Sequence, residues 1–117
     1  RYDSAGLSCF IQHIARLLRR PAMAVIAQVI ITVQGRVQGV GYRAACVQRA
    51  RLLGLRGWVR NRRDGAVEAF LAGPEANVLS MREWMWEGPD SAQVTQLDVI
   101  TGDHEAPVPG FEIRPTV

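Results

Sequence analysis

The sequence contains no lysine, only two cysteines and only two histidines, and these shortages exclude several kinds of site. All 14 basic residues are arginine, so a phosphate loop of the Walker type, which ends in Lys-Ser or Lys-Thr, is missing. Cys9 and Cys46 have no second cysteine or histidine at ligand spacing. They therefore predict neither a metal site nor a disulfide framework, and they indicate a reducing, cytoplasmic setting. No stretch reaches the roughly 18 apolar residues that a membrane-spanning helix needs.

The chain does contain enough apolar residues for one hydrophobic core. With 117 residues, 48% of them apolar, a single domain is the natural expectation. The net charge of +3 fits attraction to a phosphorylated small molecule or weak attraction to nucleic acid, and selects neither.

Residues 1–22 are predicted to be an extension outside a domain that spans residues 23–117. Apolar residues recur there at helical spacing, from Phe10 to Leu18, with Arg16, Arg19 and Arg20 nearby. This pattern is typical of a basic amphipathic helix at a membrane surface or of an arginine-rich presequence. Because Met23 lies just ahead of the first predicted strand, we favour a tail derived from upstream sequence or an expression vector, with no membrane contact.

The remaining sequence predicts alternating strands and helices. Predicted strands cover residues 25–34, 55–61, 66–71 and 93–100, and residues 111–114 offer a short fifth edge strand. One helix covers residues 42–53 and ends at Gly54; a second opens at Gly73-Pro74-Glu75, with proline in its first turn, and ends at Gly88-Pro89. The order strand, helix, strand, strand, helix, strand predicts a ferredoxin-like βαββαβ sandwich, an α+β fold with two helices on one face of a mixed sheet.

This topology brings two polar segments to one edge of the sheet. The first and second strands run parallel with the third between them, so a right-handed crossover returns the second strand to the edge where the first ended. The glycine-rich loop that follows the first strand, residues 35–43, and Asn61 at the end of the second strand are therefore expected to lie close together. Ligands commonly bind open α/β sheets at such an edge.

The loop reads GRVQGVGYR and is a candidate anion cradle. Its backbone N–H groups can point at an anion, and Arg43 in the first helical turn can add a forked guanidinium. Three alternatives stay open at this point. The loop can be purely structural, Arg43 can be a solvated helix residue, and Gly39 to Ala44 matches the dinucleotide pattern G-x-G-x-x-A, although the chain is too short for a second mononucleotide half.

Asn61 is the second candidate, although an asparagine before a turn usually serves the turn. Strand alternation places it on the face of Val59, opposite Arg60 and Arg62. Its carboxamide both donates and accepts hydrogen bonds, so it could hold a water molecule near a phosphorus atom.

Other charged and nucleophilic residues receive no catalytic role. Arg36, Arg60, Arg62 and Arg63 are expected around the same edge, either steering a dianion or forming solvated surface. Cys46 falls on the buried face of the first helix.

No general acid, general base or activated nucleophile can be placed at this edge of the sheet. His13 lies in the extension and His104 in a late loop. A site without a general acid suits a mixed carboxylic–phosphoric anhydride, because its leaving carboxylate has a pKa of about 4 and needs no proton. Its hydrolysis then depends on charge stabilisation and a positioned water molecule.

These motifs resemble the acylphosphatase family. The matching stretches are GRVQGVGYR (35–43), GWVRN (57–61), DGAVE (64–68), GPEA (73–76) and GPDSAQV (88–94). The resemblance implies hydrolysis of acyl phosphates without metal or cofactor. It implies that Arg43 binds the phosphate, that Asn61 orients the attacking water, and that the water's proton passes to the substrate's own phosphate. The implied phosphate cradle is the backbone of Arg36, Val37, Gln38, Gly39, Val40, Gly41 and Tyr42.

We therefore predict a monomeric, cytoplasmic acylphosphatase that binds inorganic phosphate as product and inhibitor. One alternative is an RNA-binding module, which would need exposed aromatic residues on the central strands; those strands offer only Phe70. The other is a carbamoyl-phosphate-binding module like that of a hydrogenase maturation protein, which normally belongs to a far longer chain.

Overall fold

The computed structural model describes residues 25–102 and 109–117. The predicted extension 1–22, and with it Cys9 and His13, lies outside the described residues, as does His104.

The described residues form one five-stranded sheet and two helices, which confirms the predicted α+β fold. The strands are β1 (Ile26–Arg36), β2 (Arg56–Asn61), β3 (Val67–Pro74), β4 (Gln93–Thr101) and β5 (Phe111–Ile113), and the helices are α1 (Tyr42–Leu52) and α2 (Glu75–Glu87). Across the sheet the strand order is β4-β1-β3-β2-β5.

Strand β3 lies between β1 and β2 and runs antiparallel to both. Ala69 of β3 is paired with Ile31 on one side and with Val59 on the other. Strands β1 and β2 are therefore parallel and end at the same edge of the sheet, as the topology predicted. The short β5 pairs in parallel with the outer side of β2, which confirms the fifth edge strand.

The main core lies between the sheet and the two helices. Alternate residues of β3 point into it: Val67, Ala69 and Leu71 are all completely buried. The helices contribute Tyr42, Cys46, Val47 and Ala50 from α1, and Val78, Met81 and Met85 from α2.

A smaller apolar cluster occupies the opposite face of the sheet. Trp58 and Phe70 are at most 3% exposed there, and their ring centres lie 6.2 Å apart. The guanidinium groups of Arg60 and Arg114 lie 4.4 and 5.1 Å from the centre of the Trp58 ring. Arginine stems and cation–π contacts can shield an aromatic ring on such a face.

Two strands are longer than predicted, because pairing carries them past their apolar segments. Strand β1 continues to Arg36, which pairs with Gln93 of β4 beyond a register shift at Gly35. Strand β3 continues to Pro74, which pairs with Ile26. Placing Pro74 in the first turn of α2 was therefore wrong, since its φ of −56° and ψ of 135° are extended and it forms the N-cap. Among the described residues, no helix is both long enough and apolar enough to cross a membrane.

Gly57 of β2 has no room for a side chain beside β3. Its φ is 142°, and a Cβ atom there would overlap the carbonyl oxygen of Phe70. We expect Gly57→Ala to lower the free energy of unfolding by more than about 3 kcal/mol, measured by urea denaturation. Gly54→Ala is the matched control, since Gly54 also has a positive φ of 66° but faces open space. Its expected cost is about 1 kcal/mol, and equal losses would contradict a steric origin.

Candidate active site

A cleft of about 150 Å³ opens at the sheet edge where β1 and β2 end. Its lining comes from the loop after β1, the first turn of α1, the end of β2 and the end of β5. The lining residues are Val37, Gly39, Gly41, Tyr42, Arg43, Ala44, Asn61 and Ile113. The glycine-rich loop, Arg43 and Asn61 therefore meet in one cleft, as the topology predicted.

The loop turns sharply from β1 into α1 because two of its glycines adopt left-handed conformations. Gly39 has a φ of 75° and Gly41, the N-cap of α1, has a φ of 78°. Within the described chain, no group accepts a well-formed hydrogen bond from the backbone N–H groups of residues 37–41. The N–H groups of the first turn of any helix also lack helical acceptors. Together with the positive end of the α1 dipole, these donors suit an anion.

Tyr42 anchors the end of the loop in the core. Its side chain is 1% exposed, and its hydroxyl group donates a hydrogen bond of 2.6 Å to the carbonyl oxygen of Met85 at the far end of α2. Burial, and secondarily the neighbouring Cys46, raise the pKa of the Tyr42 phenol. The phenol therefore stays protonated and holds the loop in place, and it cannot act as a general base at neutral pH.

Arg43 is half-buried at the first turn of α1 and contributes to the wall of the cleft. Among the described residues it makes no ion pair and no side-chain hydrogen bond. By contrast, Arg60 and Arg114 bind Glu68 and Glu112. A guanidinium beside a helix N-terminus and a set of backbone N–H groups favours a doubly charged oxyanion such as phosphate.

Asn61, the last residue of β2, carries the most informative atom of the cleft. Its Oδ1 atom is buried and has no hydrogen-bond partner, which is true of no other buried side-chain nitrogen or oxygen in residues 25–102 and 109–117. Leaving such an acceptor unpaired costs about 1–3 kcal/mol. Because Asn61 also lines the cleft, a ligand bound there is a candidate partner for this acceptor.

The turn after Asn61 does not use the Asn61 side chain. Other groups close that turn: the N–H of Ala66 donates to Asp64 Oδ1 (3.0 Å), and the N–H of Arg62 donates to the carbonyl oxygen of Ala66 (2.8 Å). The alternative reading of Asn61 as an ordinary turn residue therefore fails.

Comparison with known proteins identifies the family of this chain. The model of the family described as Acylphosphatase matches residues 29–113. A protein named "Acylphosphatase 2" from Ralstonia nicotianae is 73% identical over 95 residues, which cover 81% of this chain and 100% of the relative. The chain belongs to the acylphosphatase family.

Solved structures show the same relationship. The crystal structure of acylphosphatase from Bacillus subtilis superimposes with a TM-score of 0.73 at 37% identity, covering 77% of this chain and 99% of that chain. A structure of full-length HypF in the phosphate- and nucleotide-bound form gives a TM-score of 0.74 at 22% identity, covering 83% of this chain and 13% of that chain. At that identity the second likeness shows the fold alone.

Gln38 has a role that sequence reasoning missed. Its backbone was assigned to the phosphate cradle, whereas its side chain crosses to the β2–β3 hairpin. There the Nε2 atom donates hydrogen bonds to the carbonyl oxygens of Arg62 (2.7 Å) and Ala66 (2.9 Å). The residue type gives no local signal of this bridge, because both partners are backbone atoms more than 20 residues away in the chain.

The arginines around the cleft differ in their partners. Arg60 forms an ion pair of 2.6 Å with Glu68, and Arg62 binds Glu68 (3.3 Å) and Asp64 (3.4 Å). Arg36 and Arg63 are exposed and form no ion pair with the described residues. Of the four arginines, Arg36 and Arg63 therefore stay candidates for steering a dianion towards the cleft.

Cys46 lies in the core, as expected, and not in the cleft lining. It is completely buried, and burial raises the pKa of its thiol far above the ordinary value. Because the reactive form is the thiolate, Cys46 is unsuited to act as a nucleophile.

We expect iodoacetamide at pH 8 to leave Cys46 unmodified in the folded protein and to alkylate it in urea, as measured by peptide mass mapping, which distinguishes it from Cys9. An ordinary cysteine, with a pKa of about 8.5, is partly ionised at that pH and reacts. Rapid alkylation of native Cys46 would show that the α1 face opens readily.

Proposed function

We propose that this protein hydrolyses acyl phosphates to a carboxylate and inorganic phosphate, with Arg43 and the loop amides binding the phosphate and Asn61 orienting the attacking water. Membership of the acylphosphatase family supports the reaction. The observation that supports the residue roles is the buried, unpartnered Oδ1 atom of Asn61, a residue that lines the same cleft as Arg43 and the loop.

The cleft suits the phosphoryl end of the substrate. Its volume of about 150 Å³ is below the range of about 300–1,000 Å³ that is typical of pockets enclosing a whole drug-sized ligand. The phosphoryl group would occupy the cleft, with its oxygens on the backbone N–H groups of residues 36–42 and on the Arg43 guanidinium. The acyl group would extend towards solvent.

Asn61 supplies what an in-line attack requires on the other side of phosphorus. Its Oδ1 atom accepts a hydrogen bond from a water molecule and so directs a lone pair of the water oxygen at the phosphorus atom. Holding the reactants in this geometry lowers the entropic part of the barrier.

The bond changes need no protein acid or base. The water oxygen forms a bond to phosphorus, the bond between phosphorus and the bridging oxygen breaks, and the electron pair leaves with the carboxylate. That carboxylate has a pKa of about 4 and is stable unprotonated. The proton of the water passes to a phosphate oxygen, so the products are a carboxylate and dihydrogen phosphate.

The protein's contribution is therefore electrostatic and geometric. The titratable residues in the cleft lining are Tyr42, whose phenol is buried, and Arg43. Donors already aimed at the phosphate need little reorganisation as charge shifts towards the leaving group. We infer that the reaction requires no metal and no cofactor, because Arg43 and the loop amides supply the charge stabilisation.

The two alternative functions, RNA binding and carbamoyl-phosphate binding, have less support from this geometry. An RNA-binding sheet needs exposed aromatic rings, whereas Phe70 is completely buried and the ring of Trp58 lies beneath Arg60 and Arg114. Carbamoyl phosphate is itself a mixed anhydride that this cleft would accept. A measurement of hydrolytic turnover distinguishes an enzyme from a module that only binds carbamoyl phosphate.

We also propose that the enzyme is a cytoplasmic monomer whose catalytic domain spans residues 23–117, with residues 1–22 as an extension. The match of the family model to residues 29–113 supports the domain boundary. The free thiol of Cys46 supports a reducing compartment.

We expect the protein to hydrolyse benzoyl phosphate equally well with and without EDTA, and inorganic phosphate to inhibit competitively. The reaction is followed by the loss of benzoyl phosphate absorbance. Loss of activity in EDTA that Mg²⁺ or Zn²⁺ restores would contradict the metal-free mechanism. Binding without turnover would favour a non-catalytic module.

The proposed roles of Asn61 and Arg43 are distinguished by measuring both turnover and inhibition by phosphate. Asn61→Ala should lower kcat at least about 100-fold while the inhibition constant for phosphate changes little, because only the water is lost. Arg43→Gln should lower kcat/KM and weaken phosphate inhibition at least about 10-fold, because a charged hydrogen bond is lost. Arg56→Gln, at the exposed far end of β2, is the control and should behave like the wild type. Near-normal turnover in Asn61→Ala would exclude the role in orienting water.

A further inference from the structure

We propose that Gln38 is a positioning residue that sets the separation between the bound phosphate and the Asn61 carboxamide. The inference rests on the proposed function. It assigns the Gln38 side chain a role distinct from that of its backbone, which belongs to the phosphate cradle.

The side chain of Gln38 connects the two halves of the site directly. Its Nε2 atom donates to the carbonyl oxygen of Arg62 at 2.7 Å and to that of Ala66 at 2.9 Å. Both hydrogens of the amide are used. Arg62 is the residue after Asn61, and Ala66 closes the same turn through its hydrogen bond with the N–H of Arg62.

The chemistry of these partners requires an amide donor. Both are carbonyl oxygens, which only accept hydrogen bonds, so the amide nitrogen and not Oε1 must face the hairpin. An apolar side chain would leave both carbonyls without this donor. A carboxylate would place a third acceptor against them.

Sheet pairing does not hold the two halves together at this edge. The pairing of β1 with β3 stops at Val33 and Val67, and from there to Arg36 the end of β1 pairs with β4, on the side away from the hairpin. Among the described residues, only the Gln38 side chain forms hydrogen bonds that join loop residues 37–41 to the hairpin at residues 61–66.

Ion pairs and turn hydrogen bonds tie together the residues on either side of Asn61, so the hairpin is expected to move as a unit. Glu68 binds both Arg60 (2.6 Å) and Arg62 (3.3 Å), and Arg62 also reaches Asp64 (3.4 Å). The N–H of Ala66, followed by Arg62, holds the pKa of Asp64 below its ordinary value, so the Asp64 carboxylate stays charged at neutral pH. Moving the turn relative to the loop therefore moves Asn61 relative to the phosphate.

The expected consequence is a separation of turnover from phosphate binding. The cradle and Arg43 belong to one continuous segment, residues 36–43, so phosphate affinity does not depend on the bridge. Turnover does depend on it, because a displacement of about 1 Å in a reacting group can cost roughly 100-fold in rate.

The primary test replaces Gln38 with methionine, which is similar in length and adds no charge. We expect Gln38→Met to lower kcat for benzoyl phosphate about 10- to 100-fold, with the inhibition constant for phosphate within about 3-fold of the wild type. Both are measured on the full chain, with the folded fraction determined by circular dichroism. An unchanged kcat, or a parallel change in kcat and the inhibition constant, would overturn the positioning role.

Asn77→Leu is the matched control. The Nδ2 atom of Asn77 donates to the carbonyl oxygen of Leu53 at 2.9 Å, away from the cleft, so this variant also removes a half-buried amide-to-carbonyl bond. It should lose stability and keep its kcat. A loss of kcat as large as that of Gln38→Met would mean that lost stability, and not positioning, explains both.

Gln38→Glu provides a second test if the methionine variant folds poorly. At pH 7.5 its carboxylate cannot donate, but facing two carbonyl oxygens raises the pKa of this carboxyl, and the protonated form present at lower pH donates again. The ratio of its kcat to that of the wild type should therefore rise as pH falls from 7.5 to 5. A flat ratio would contradict the need for a donor.

These outcomes differ from a failure of the proposed function itself. If the wild type does not hydrolyse benzoyl phosphate, or if Asn61→Ala is fully active, the proposed function is wrong. If the wild type is active and Asn61→Ala is not, but Gln38→Met turns over normally, only the positioning role is wrong.

Discussion

The placement of β3 between β1 and β2 is the constraint on which the rest of this structure depends. Because β3 is antiparallel to both neighbours, β1 and β2 are parallel and end at the same edge of the sheet. The loop after β1 and Asn61 at the end of β2 then meet without any dedicated contact between their strands. The same arrangement leaves a gap at that edge, because β3 begins only at Val67. The Gln38 side chain closes this gap.

Close packing in the core supports the loop and the strand that line the cleft. The buried hydroxyl group of Tyr42 is bound to the far end of α2, so the start of α1 and the loop before it are tied to the main core. Gly57 allows β2 to approach β3 where a Cβ atom would overlap the Phe70 carbonyl. On the opposite face, Trp58 of β2 lies beneath two arginines and packs against its cross-strand partner Phe70 of β3, which supports the strand that ends at Asn61.

The side chains of the β2–β3 hairpin are mostly paired, whereas the Oδ1 atom of Asn61 is the one buried side-chain nitrogen or oxygen of the described residues without a partner. Glu68, Asp64 and the carbonyl oxygens of Arg62 and Ala66 have partners, whereas the Oδ1 atom of Asn61 is buried without one. A free acceptor that costs stability is expected where a ligand completes the hydrogen bonding.

Local patterns in the sequence determined the order of the elements, the glycine-rich turn, and hence which strand ends meet. They also indicated the chemistry, because no acid, base or nucleophile could be placed beside Arg43 and Asn61. Only the tertiary structure decided that the turn leaves Asn61 Oδ1 unpaired and that Glu68 binds Arg60 and Arg62. It also decided that β1 and β3 extend beyond their apolar segments. It alone revealed the Gln38 bridge. The physical reason is that periodicity and turn chemistry act between near neighbours, whereas these features depend on hydrogen bonds and ion pairs between segments that only the folded sheet brings together.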